Sequence, residues 1–75
     1  MVQEDRAKKL RQFLKAELKR ADITYEELAR RLTAAGDEET KASIANKLSR
    51  GGFSAIFFVD ALKAIGCDEI DLKDI

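Results

Sequence analysis

The sequence predicts an all-α fold of four to five helices closed by a short C-terminal strand or turn, in one domain spanning residues 1–75. Three observations predict it. Proline is absent and glycine occurs only four times, so the chain has few obligatory breaks. Apolar residues recur at three- and four-residue spacing, the period of a helix with one buried face. Polar residues able to cap a helix stand where most of these periodic runs begin.

The first run covers residues 5–21. Ala7, Leu10, Leu14, Leu18 and Ala21 form its apolar stripe, widened by Phe13. Lys8, Arg11, Lys15 and Lys19 repeat at the same spacing and form a basic stripe, read as roughly opposite the apolar one. The second helix starts at Thr24, a cap whose capping-box partner is Glu27, with Ile23 placed to staple onto Leu28. Tyr25, Leu28, Ala29 and Leu32 are its buried face, and it stops between Leu32 and Gly36.

Asp37 and Thr40 are alternative caps for a third helix over residues 40–50. Ile44, Ala45 and Leu48 fall on its inner side, and Ala42, Ser43, Asn46 and Arg50 on its outer side, with Lys47 at the margin. Gly51-Gly52 ends it. Ser54 caps a fourth helix over residues 54–65, with Phe53 placed to staple onto Phe58, and Gly66 stops it. Ala55, Phe58, Val59, Leu62 and Ile65 make one apolar face there, and Phe57, Ala61 and Ala64 a second. Such a helix is either central in the core or covered by a partner. In the tail, Ile70 and Leu72 alternate as in a strand, whereas Leu72 and Ile75 suit a last helical turn.

Composition excludes several functions. With 45% hydrophobic and 37% charged residues, the chain is too apolar for a disordered tail and too charged for a membrane protein. No apolar run approaches the roughly 20 residues that span a bilayer, and the charged first 20 residues lack a signal-peptide core. The expectation is a cytoplasmic protein with no membrane partner. Cys67 is the sole cysteine, which excludes an internal disulfide and suits a buried apolar position. Histidine is absent, so His-based acid-base chemistry, triads and metal sites are excluded, and neither an enzyme, a metal nor a cofactor is expected.

Formal net charge is zero, with 14 basic and 14 acidic residues, yet it is distributed in blocks. Residues 1–20 carry +4, residues 21–40 carry −4, residues 41–60 carry +2 and residues 61–75 carry −2. Such blocks can fold into separate basic and acidic faces, or neutralise one another internally.

The segment over residues 23–72 resembles the lambda-repressor or Cro-like helix-turn-helix fold. The features that carry the resemblance are Thr24 with Leu28-Ala29, the stretch from Ile44 to Leu48, Arg50-Gly51, and Leu62-Lys63-Ala64-Ile65-Gly66. The string from Ile44 to Ser54, preceded by the first helix, is also similar to a small bacterial domain family of unknown function with helix-turn-helix character. In the standard motif the small residue of the first helix and the first buried residue of the reader are about ten positions apart. Ala29 and Ala45 are sixteen apart, which predicts a longer second helix, a wider turn, or both.

The resemblance implies a DNA-binding domain of transcription-regulator type with the helix over 40–50 in the major groove. Ala42, Ser43, Asn46, Lys47 and Arg50 are then the base contacts. Lys8, Arg11, Lys15, Lys19 and Lys41, with the Gly51-Gly52 and Ser54 backbone, are the phosphate contacts. Double-stranded DNA is the expected partner. The alternative is a protein-interaction or homodimerisation module that binds no nucleic acid and uses Phe57, Ala61, Ala64, Ile70 and Leu72.

Overall fold

The computed structural model describes residues 3–50 and 52–75. Four α-helices and one 3-10 turn follow in order: α1 (Gln3–Ala21), α2 (Tyr25–Ala34), α3 (Lys41–Arg50), α4 (Ala55–Ala64) and the turn at Leu72–Asp74. Each of the caps is a local hydrogen bond. Thr24 Oγ1 accepts from the Glu27 N–H at 3.1 Å, and Ser54 Oγ accepts from the Phe57 N–H at 3.0 Å. At α3 the cap is Thr40 rather than Asp37. Its hydroxyl accepts from the Ser43 N–H at 3.0 Å, while the Ser43 hydroxyl accepts from the Thr40 N–H at 2.8 Å, a reciprocal box.

Three helix ends use one device. After α1, α2 and α4 the chain enters the left-handed region at Asp22 (φ 58°), Gly36 (φ 100°) and Gly66 (φ 80°). The next N–H then reaches back to the helix: Ile23 to the Leu18 carbonyl, Asp37 to Leu32 and Cys67 to Leu62, at 2.8–3.0 Å. These are Schellman closures, which satisfy carbonyls that a helix end otherwise leaves unpaired.

The core joins all four helices. Leu14, Leu28, Leu32, Ile44 and Leu48 are wholly buried, with Leu18, Ala29, Phe57, Ala61 and Leu62 beside them. α2 lies against both α3 and α4, and α1 crosses the same two helices. At the open ends of α2 and α4, Arg31 Nη1 donates to the Ala64 carbonyl at 3.0 Å. The same guanidinium donates to Glu27 at 2.8 Å, and Arg30 donates to Glu27 twice, at 3.0 and 2.5 Å.

One expectation is corrected, and one open alternative is decided. α4 turns Phe57, Ala61 and Leu62 into the core, leaves Phe58, Ala64 and Ile65 half-buried, and exposes Ala55 and Val59. Phe57 and Ala61 are thus core residues with no surface to offer a partner. The Phe57 ring meets the Phe53 ring edge-on at 5.4 Å and lies beneath the Lys47 ammonium, while Phe58 stacks on the same Phe53 ring at 6.2 Å from the edge of the core. The tail forms no strand among the described residues. It runs back along α1, from Cys67 beside Glu17 and Ala21 to Ile75 beside Lys9 and Gln12. With no neighbouring strand to pair its backbone, residues 72–74 close as a 3-10 turn in which the Asp71 carboxylate accepts from the Lys73 N–H at 2.9 Å. Ile70 and Leu72 stay exposed, Leu72 at 75%.

Two predictions follow from the helix ends. A Cβ at Gly36 or Gly66 meets no atom within 4 Å, so Gly36→Ala and Gly66→Ala isolate the left-handed strain, and each lowers the urea-unfolding free energy by about 1 kcal/mol. Asp22→Gly raises it, because the same conformation is already occupied there by a residue with a Cβ. The hydrogen bonds from Arg30 and then Arg31 hold the Glu27 carboxyl at about 2, below its ordinary value of 4.5. Its folded pKa is depressed, so its contribution to stability is present above about pH 4.5 and is lost as pH falls toward 2. A carboxyl NMR titration of Glu27 with a midpoint near 2 is the expected result, and Glu27→Gln removes that part of the acid sensitivity.

Candidate nucleic-acid interface

α3 is held to the core by Ile44 and Leu48, so the residues on its far side face water. Ala42, Asn46, Ser49 and Arg50 are all exposed there, and they form one strip because they stand three or four positions apart around two helical turns. Ser49, which is not among the contacts expected from the sequence, belongs to this strip. The strip offers an amide, a hydroxyl, a guanidinium and a methyl group on a convex surface.

Ser43 and Lys47 are placed elsewhere. Both are half-buried, and both are engaged by Glu39. The Ser43 hydroxyl donates to Glu39 Oε1 at 2.6 Å, and the Lys47 ammonium donates to Glu39 Oε2. That ammonium also sits 4.5 Å from the centroid of the Phe57 ring. The Glu39 side chain is only 5% exposed, so its charge is compensated inside the domain rather than shown to solvent.

The segment that carries Glu39 is the wide connection anticipated from the spacing of Ala29 and Ala45. α2 ends at Ala34 and residues 35–40 precede α3. One threonine closes this connection. Thr33 Oγ1 accepts from the Glu39 N–H at 3.1 Å and donates to the Glu39 carbonyl at 3.0 Å. Of the three acidic residues in the turn, Glu38 is exposed, Asp37 is half-buried and Glu39 is turned inward.

On α1, Lys8, Lys15 and Lys19 are exposed, whereas Arg11 is half-buried. At about 100° per residue the basic stripe lies roughly a quarter turn from the Leu14–Leu18 line, not opposite it, so Arg11 reaches the edge of the core. Lys15, Lys19, Lys41 and Arg50 make no ion pair among the described residues. Lys41 is exposed at the first position of α3. Gly52 is exposed, the Ser54 hydroxyl is spent on its cap, and Gly51 lies outside the described residues.

Burial pushes the Cys67 thiol up from its ordinary value, with Glu17 adding to the effect, so it is a poor nucleophile at neutral pH. Among the described residues no group of three Cys, Asp or Glu side chains is arranged as a metal site, and no helix is long and apolar enough to cross a membrane.

The family model described as "Domain of unknown function (DUF6471)" matches residues 7–70. No curated protein and no solved structure matches the chain.

Thr33 is the test of how the turn is held. Thr33→Val removes the acceptor for the Glu39 N–H and the donor to its carbonyl while keeping the side-chain shape. The expected loss is about 1 kcal/mol in urea unfolding, with faster amide hydrogen exchange confined to residues 37–40. A uniform rise in exchange across α2 and α3 would show that the turn does not depend on this pair.

Proposed function

Because the chain belongs to this family of unknown function, we propose from its own surface that it is a DNA-binding domain. In this reading residues 24–50 form a variant helix-turn-helix of lambda-repressor-like type, α3 enters the major groove, and the protein acts as a cytoplasmic transcription regulator. The observation that carries the reading is the exposed strip Ala42, Asn46, Ser49 and Arg50. It is slim enough for the groove and polar in the right places. Asn46 has the paired donor and acceptor that match adenine, Arg50 matches guanine or phosphate, Ser49 is adaptable, and Ala42 can meet a thymine methyl.

Two further features support it. The exposed Lys8, Lys15 and Lys19 supply sequence-blind phosphate contacts, with Lys41 and the Gly52 backbone as further candidates. The acidic turn is the main electrostatic obstacle, and the inward Glu39 lessens it. A single neutral module of this size binds weakly, and pairing of two copies on DNA is the usual route to useful affinity.

A protein-interaction role has one specific observation in its favour. Ile56 is 73% exposed and Val59 47% exposed on the outer side of α4, a different surface from the Phe57 and Ala61 face. It becomes the preferred reading if DNA binding fails.

Titration against a random-sequence duplex at low salt, read by fluorescence anisotropy, tests the proposal. Saturable binding is expected, with affinity falling as salt rises by a slope of about −0.9 for each phosphate neutralised. Lys15→Ala lowers that slope by about one such unit, whereas Asn46→Ala leaves the slope alone and weakens discrimination between sequences. An absence of binding at high micromolar protein would sink the reading.

A further inference from the structure

Glu39 has a second consequence besides neutralising the turn. It stands eight positions before Lys47, in a different element, yet it receives both the Lys47 ammonium and the Ser43 hydroxyl, the latter at 2.6 Å. These two side chains flank the outward strip of α3. Its carboxylate is 5% exposed, and the Lys47 ammonium rests over the Phe57 ring at 4.5 Å. Swinging Lys47 outward would leave a buried carboxylate without its countercharge and would also give up the contact with the ring. Lys47 is therefore not a mobile surface lysine.

We propose that Glu39 is a positioning residue: it locks Ser43 and Lys47 against the body of the domain and thereby sets which side chains α3 can present to duplex DNA. The proposal rests on the reading of α3 as the DNA-contacting helix. With the lock closed, Arg50 is the sole cation on the strip, and readout falls to Asn46, Ser49 and Arg50. With it open, Lys47 joins them as a mobile charge, which adds phosphate affinity without adding base selectivity.

The test compares wild type, Glu39→Gln, Lys47→Ala, the double variant Glu39→Gln/Lys47→Ala, and Glu38→Gln as a control for removing an exposed charge. The first readout needs no DNA. Under limiting amine acetylation followed by mass spectrometry, Lys47 labels several-fold more slowly than the exposed Lys41 in wild type, and Glu39→Gln brings the two rates together. Equal rates in wild type overturn the lock.

The second readout is binding to a random duplex across a salt series. Lys47→Ala leaves the wild-type salt slope unchanged, and Glu39→Gln steepens it by about one phosphate equivalent, a gain that the double variant loses. Glu38→Gln does not steepen it. A slope that falls in Lys47→Ala alone overturns the proposal, because Lys47 would already lie on the DNA. If neither wild type nor Glu39→Gln binds duplex, the DNA reading fails and the presentation claim fails with it, while the labelling rates still judge the lock. The wild-type labelling and the Lys47→Ala slope require no Glu39 variant, so the proposal can be overturned even if Glu39→Gln does not fold.

Discussion

Five side chains, Leu14, Leu28, Leu32, Ile44 and Leu48, are wholly removed from water, and every other feature of the domain is arranged around closing on them. A chain of 75 residues buries only about 60% of the surface that its unfolded form exposes, so it has little reserve with which to offset an unpaired backbone group. This constraint explains the uniformity of the helix ends. α2, α3 and α4 each start on a hydroxyl that accepts a backbone N–H, and α1, α2 and α4 each stop on a left-handed residue that returns the next N–H to the helix. Where geometry leaves the Ala64 carbonyl open, Arg31 is drawn across from α2 to meet it. The polar bonds at the rim keep the small apolar centre closed.

These devices are local, which is why they were legible. Thr24 as a cap, Ser54 before its apolar run, and Gly36 and Gly66 after theirs are all separated from the groups they serve by only a few residues, whereas the Glu27 carboxylate, expected to close a capping box on Thr24, accepts from Arg30 and Arg31 instead. Asp22 plays the same part as the two glycines, but an aspartate carries no comparable signal. The rotation of α4 was not legible. Its residues include two overlapping apolar faces, and the contacts that accompany the observed rotation, Phe53 against both Phe57 and Phe58 and Lys47 over Phe57, form only in three dimensions. The tail left a strand and a helical turn both open for a related reason, and the structure takes the turn. Alternation at Ile70 and Leu72 describes side chains, whereas a strand also requires a neighbour for its backbone, and α1 cannot be one.

The candidate interface divides in the same way. Ala42, Asn46 and Arg50 follow from helical spacing once the inner positions Ile44 and Leu48 are known, and Ser49 follows from them as well. Ser43 and Lys47 have the right residue types and nearly the right angle, yet Glu39 takes them. Its pairing spans eight positions to Lys47, and its backbone pairing with Thr33 spans six, neither of which is a helical or strand period. An acidic residue in a turn reads as a solvated charge, and only the folded arrangement reveals it as a buried acceptor.

Internal pairing also changes what the zero net charge means for a polyanion. Arg30 and Arg31 are both committed to Glu27, Arg20 to Glu17 and Lys47 to Glu39, so four cations meet three carboxylates and all but one positive charge of this set is cancelled within the domain. Among the acids that remain are Asp68, Glu69 and Asp74, which belong to the tail with the Asp71–Lys73 pair, and the tail lies along the side of α1 that bears Lys9, Gln12 and Ala16. Lys15 and Lys19 stand on the neighbouring flank of the same helix, and Lys41 and Arg50 on α3, without ion-pair partners among the described residues. What a phosphate backbone meets is the local field within about a Debye length, about 10 Å at 0.1 M salt, and not the sum over the chain. A neutral chain that commits Arg20, Arg30, Arg31 and Lys47 to its own carboxylates and leaves Lys15, Lys19, Lys41 and Arg50 outward is therefore not disqualified from binding DNA by its composition. Its attraction has to be short-ranged and readily screened, which makes the strip on α3, rather than long-range steering, the feature on which any specificity depends.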